Sequence, residues 1–164
     1  MIHMIQIHQS TFNLNIMKRI ILSVIVLLYM SSVAGQSTDV VYKVTNYSIN
    51  GENYDDIALE EDVSLAFYLN EEESLCFANV WRNSQSESYG KVYSLKKTET
   101  AETDSTYAMN EIKFTWNFVN SYNVETGNAA VTIQNFFFEN TVLFSAKIIV
   151  MDTMEVLKMK GYLE

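Results

Sequence analysis

The densest set of chemistry-bearing residues in the chain is acidic: Asp55, Asp56, Glu60, Glu61 and Asp62 fall within eight positions. Calcium takes six to eight oxygen ligands, and such a loop supplies several. The set lacks the alternating Asp/Asn positions and the glycine of an EF-hand loop, so it reads as a solvated acidic loop and no metal ligand is assigned. Glu71, Glu72 and Glu73 follow Asn70 and read as the tip of a hairpin. Carboxylates also work in pairs, as in glycoside hydrolysis at separations of about 5 to 9.5 Å. Twenty acids make some such pair inevitable by chance, so its existence carries no weight.

Nucleophiles and bases are scarcer. The two histidines, His3 and His8, precede the segment Met17-Lys18-Arg19, the apolar run Ile20 to Met30 and the small residues Ser31 to Gly35. A basic start, a short apolar core and small residues are what a translocon and signal peptidase read. Eleven apolar or small positions are too few for a span, which needs roughly 20 residues. We therefore expect residues 1–16 to be a non-native upstream extension, 17–35 a signal peptide cut after Gly35, and 36–164 one exported β domain. That domain would hold no histidine and one cysteine, Cys76, set between Leu75 and Phe77 as a small buried apolar residue. Neither a Ser-His-Asp set nor a Cys-His pair can be assembled from it, and histidine-based zinc coordination is impossible. The glycines Gly35, Gly51, Gly90, Gly127 and Gly161 are isolated and make no phosphate cradle. The expectation is a protein without catalytic residues, metal or cofactor.

Aromatic residues remain, and their chemistry is burial and stacking. Phe67, Phe77, Trp81, Phe114, Trp116 and Phe118 are the candidates for lining a cavity that holds a small apolar or planar ligand. The structural reading of the same residues is a filled core. Aromatics at Phe136, Phe137 and Phe138 occupy both faces of one run, and Tyr89 and Tyr93 flank Val92, so some of them face away from the core and must cover something. Tyr93, Asn117, Tyr122 and Phe137 are accordingly candidates for surface recognition of a protein or glycan, with amides supplying donors and acceptors beside the rings. Asn46-Tyr47-Ser48 matches a glycosylation acceptor, meaningful only in a eukaryotic secretory route.

The elements that position these residues have period two. Val40, Tyr42 and Val44 alternate with more polar neighbours, as do Val63, Leu65, Phe67 and Leu69. Phe114, Trp116 and Phe118 cannot share one face of a helix but line up on one face of a strand. Further strands are expected over Leu75 to Trp81, Tyr89 to Lys97, Ser105 to Met109, Ala129 to Phe138, Val142 to Val150 and Glu155 to Leu163. Turns are expected at 82–86, 125–128, 139–140 and 152–153. Tyr54 to Asp62 reads as loop, one helical turn or a very short strand, and Lys96 to Thr106 as a long exposed hairpin end. Short connections favour antiparallel hairpins over parallel crossovers.

The fold class is all-β, an eight- to nine-stranded antiparallel meander. With no proline and no disulfide to blunt sheet edges, closure into an up-and-down barrel of the lipocalin or streptavidin kind is expected, with a β-sandwich as the alternative. The comparison is one of architecture: the lipocalin Gly-x-Trp signature is absent near the expected mature N-terminus.

Charge narrows the partners. From Gln36 onward twenty acidic residues stand against nine basic ones, a formal charge of −11, and the basic residues form no stripe in the sequence. Nucleic acid and anionic lipid would be repelled. The function expected is non-enzymatic binding, in a periplasmic or secreted setting, of a small apolar ligand in a barrel cavity or of a protein or glycan at exposed aromatics. Membrane embedding is not expected, because the strands carry no continuous outward apolar band.

Overall fold

A computed structural model describes residues 40–100 and 108–164. The expected upstream extension and signal peptide, and residues 105–107 of the expected strand Ser105 to Met109, lie outside the described residues. The elements are β1 (Val40–Ile49), β2 (Glu52–Asn53), α1 (Asp55–Glu60), β3 (Val63–Leu69), β4 (Leu75–Trp81), β5 (Ser86–Thr100), β6 (Met109–Asn120), β7 (Thr126–Phe137), β8 (Val142–Val150) and β9 (Val156–Leu163). Every neighbouring pair is antiparallel, and β9 returns to pair with β1. Eight strands therefore close into a barrel, with the two-residue β2 as an extra strand on the end of β1. The barrel holds, and the sandwich alternative is set aside.

Alternation decides which side chains face inward, because cross-strand partners share a face. Tyr42 lies opposite Leu65, Phe67 opposite Phe77, Phe114 opposite Val131, Ile133 opposite Ala146, and Met159 opposite Tyr47. These residues are buried and form one core cluster. An eight-stranded barrel has an interior of about the width that side chains fill.

Closure needs sharp bends. At Gly161 in β9 an added Cβ would lie 1.8 Å from the Lys43 carbonyl oxygen, so the strand approaches β1 as only glycine permits. β1 bulges between Val44 and Asn46, and β5 between Tyr93 and Lys96. β5 runs fifteen residues, three past the expected strand end at Lys97 and into the expected hairpin end.

One open expectation is resolved and one is corrected. Of the alternatives for Tyr54 to Asp62 the helical one holds, as the six-residue helix α1, preceded by β2. Ala58 of α1 belongs to the core cluster, and Tyr54 packs on Tyr47 with ring centroids 6.3 Å apart, so α1 covers the core at the end where β1 finishes and β3 begins. The expected turn at 125–128 sits earlier: residues 121–124 turn, and Gly127 is an inward position of β7 beneath the Phe118 ring. Asn123 supplies the turn chemistry there, its Oδ1 accepting from the Glu125 N–H at 3.1 Å, while Val124 takes the left-handed conformation at φ 58°.

Candidate functional site

The six cavity candidates share the inner face, but they meet each other. Ring centroids run in sequence from Phe144 to Tyr42 (5.0 Å), Tyr42 to Phe67 (6.3 Å), Phe67 to Phe77 (4.9 Å), Phe77 to Trp116 (5.1 Å) and Trp116 to Phe118 (4.7 Å). Phe114 closes on both Phe67 and Phe77 at 5.4 and 5.2 Å. Most of these contacts are tilted or edge-to-face, the arrangement that the ring quadrupole favours. Trp81 stands apart, half-buried, edge-on to Tyr47 at 5.7 Å. Phe67, Phe77, Phe114 and Trp116 are buried, and Phe118 is half-buried over Gly127.

Polar groups interrupt this interior. Asn135 donates to Asn110 Oδ1 at 2.7 Å beside Tyr42, whose phenol is pushed up to about 12 by burial, offset in part by a hydrogen bond with Asn135. The Asn79 Oδ1 and Trp116 Nε1 atoms are buried without a protein partner. Tyr47 is raised further, first by burial and then by the charge of Glu155. Among the described residues no base, nucleophile or carboxylate pair stands among these rings.

The surface candidates are not brought together. Tyr93 and Asn117 face outward on β5 and β6, opposite Thr115 and Lys91. Tyr122 is exposed in the β6–β7 turn, and Phe137 is half-buried at the far end of β7 on the inward register. What alternation did not single out is a groove on the outer face of β7, β8, β9 and β1. It is a depression of about 500 Å³ lined chiefly by Phe136, Leu143 and Tyr162 on one side and Gln134, Ser145 and Lys160 on the other. That volume lies within the range of small-ligand sites, about 300 to 1,000 Å³.

Register lays the groove out as rows. Phe136, Leu143, Tyr162 and Lys43 are consecutive cross-strand partners; so are Gln134, Ser145, Lys160 and Asn46; so are Thr132, Lys147, Lys158 and Ser48. An apolar row, an amide and hydroxyl row and a lysine row thus run side by side. Leu143 is 43% and Tyr162 40% exposed, large apolar surfaces on the wet side of their strands. The signal for them was the triple Phe136-Phe137-Phe138, where one ring had to point away from the core.

The acidic cluster works structurally. The Asp55 carboxylate accepts hydrogen bonds from the Tyr47 backbone N–H (2.6 Å), Asn46 Nδ2 (3.0 Å) and Asn53 Nδ2 (3.1 Å), which tie α1 to β1 and hold its pKa below the ordinary value. Asp62 pairs with Lys43 and with Arg82. Among the described residues no three His, Cys, Asp or Glu side chains converge as a metal set. Cys76 is buried opposite Tyr68, and burial pushes its thiol up, the opposite of what a nucleophile needs. No described helix is long and apolar enough to cross a membrane.

Comparison of the chain with protein-family models, with curated proteins and with solved structures finds no match.

Proposed function

We propose that this chain is an exported, non-enzymatic binding protein whose ligand meets the outer face of the barrel along the Phe136–Leu143–Tyr162 groove. The observation that carries the reading is the pair of contrasting aromatic sets. Inside, Phe67, Phe77, Phe114 and Trp116 satisfy one another at 4.9 to 5.4 Å. A ligand placed there would have to displace core packing that stabilises the fold. Outside, Leu143 and Tyr162 are largely exposed and, with the half-buried Phe136, stand beside a row of amides and hydroxyls. Rings next to adaptable polar groups are the composition of recognition surfaces.

Export rests on the sequence from Met17 to Gly35, and the non-enzymatic reading on the lack of histidine after His8 and on the inert setting of Cys76. Native mass spectrometry of the exported protein, alone and incubated with a panel of oligosaccharides, tests the reading. The expected result is a bare mass on isolation and an oligosaccharide adduct that Tyr162→Ala and Leu143→Ala reduce. A small molecule that co-purifies and leaves only on denaturation would overturn it and return the ligand to the interior.

A further inference from the structure

The nine basic residues after Gln36 divide sharply by partner. Lys43 and Arg82 pair with Asp62, Lys91 with Glu72, Lys97 with Glu99, and Lys113 with Glu111. Four lysines form no ion pair among the described residues, and three of these, Lys147, Lys158 and Lys160, stand together on β8 and β9. Lys147 lies directly opposite Lys158, and Lys160 is two residues further along the same face. Like charges directly opposite on antiparallel strands destabilise the pair. The chain has twenty acidic residues and a net charge of −9, yet no carboxylate among the described residues neutralises them. The cluster also adjoins the groove, since Lys160 lines both.

Resting on the outer-face reading, we infer that the groove takes an acidic polysaccharide. The three rows match the three chemical faces of such a chain. The C–H face of a sugar ring covers the Tyr162, Leu143 and Phe136 row. Its hydroxyls meet the Ser145 hydroxyl and the side-chain carbonyls of Gln134 and Asn46, whose amide N–H groups already donate to Glu111 and Asp55. Its carboxylate or sulfate relieves the repulsion between Lys147 and Lys158 and pairs with Lys160. A nucleic acid or an anionic bilayer would meet the acidic remainder of the surface over a far larger area, and three lysines do not offset that. The Asn46 amide is already engaged with Asp55 at the groove edge, so a glycan attached there would cover the site instead of leaving it open.

The probe is a hyaluronan hexasaccharide, with a carboxylate on every second sugar, and the control is the neutral, fully N-acetylated chitohexaose. Isothermal titration of the full chain at low salt is expected to show hyaluronan binding that weakens as NaCl rises. Lys147→Gln/Lys158→Gln should weaken it about tenfold, whereas Lys91→Gln, which removes a lysine on β5 opposite Asn117 and outside this row of cross-strand partners, should leave it unchanged. The double variant should also melt no lower than the parent in the absence of sugar, because it removes a repulsion. Chitohexaose bound as tightly as hyaluronan, with Tyr162→Ala weakening both, would overturn the acidic-sugar inference while the groove stands. Binding of hyaluronan that ignores both salt and the lysine variants would overturn it too. Failure of both sugars to bind would overturn this inference, with Tyr162→Ala in the wider oligosaccharide panel then deciding the groove.

Discussion

Asp55 shows how one exposed carboxylate can organise an element. α1 is only six residues long, too short to persist by its own hydrogen bonds, and it has no side-chain N-cap. What holds it is the Asp55 carboxylate, with the Tyr47 backbone N–H as its strongest partner. Its pKa is lowered from the ordinary 3.8, so its contribution is complete above that value and is lost as pH falls through the folded-state pKa. Asp55→Asn is expected to lower the thermal midpoint at pH 7, and the gap from the parent should close as pH drops below about 3.8. Melts from pH 7 to pH 2.5 check this. Curves that stay parallel throughout would mean the charge does not hold α1.

At the scale of elements, the hairpins carry strain that the strands absorb. Val124 (φ 58°) and Met154 (φ 57°) take left-handed conformations in the β6–β7 and β8–β9 turns, 76% and 70% exposed, where glycine or asparagine is the ordinary choice. A β-branched residue there costs about 1 to 2 kcal/mol, so Val124→Gly should stabilise the protein by about 1 kcal/mol after its own chain-entropy cost. Urea unfolding of the single variant measures it, and a loss of stability would show that the Val124 side chain has a contact worth more than the strain. Gly161→Ala should do the reverse, costing about 3 kcal/mol or more, because its Cβ would fall on the Lys43 carbonyl. These positions also mark what a one-dimensional reading could reach. Phe114, Trp116 and Phe118 announced their strand because period two is local. Val124 gave no turn signal, and Gly127 gave a false one, because its role is to lie under Phe118 from the neighbouring strand. The lysine row was invisible for the same reason: Lys147 reaches Lys158 only once β8 and β9 pair.

For the whole molecule, the question is what eight strands without proline or disulfide rely on. Closing β9 onto β1 removes the open edges of the main sheet and leaves only the two-residue β2 at a margin. Closure also commits every strand to one interior, so the ring network from Phe144 to Phe118 is shared by all of the elements that face it. Phe77 stands at its centre, fully buried and in contact with Phe67, Phe114 and Trp116. Phe77→Ala should therefore cost about 3 to 5 kcal/mol, the range for removing a buried ring whose site relaxes only partly. If the parent interior is as full as these distances imply, only the variant should recover stability when benzene is added, because an apolar cavity of that size stays dry and accepts the missing ring. Thermal melts of both proteins with and without benzene make the comparison. Stabilisation of the variant alone places binding outside the barrel, where Tyr162 and Lys160 lie, whereas equal stabilisation of the parent would reveal room among the rings and favour a carried ligand.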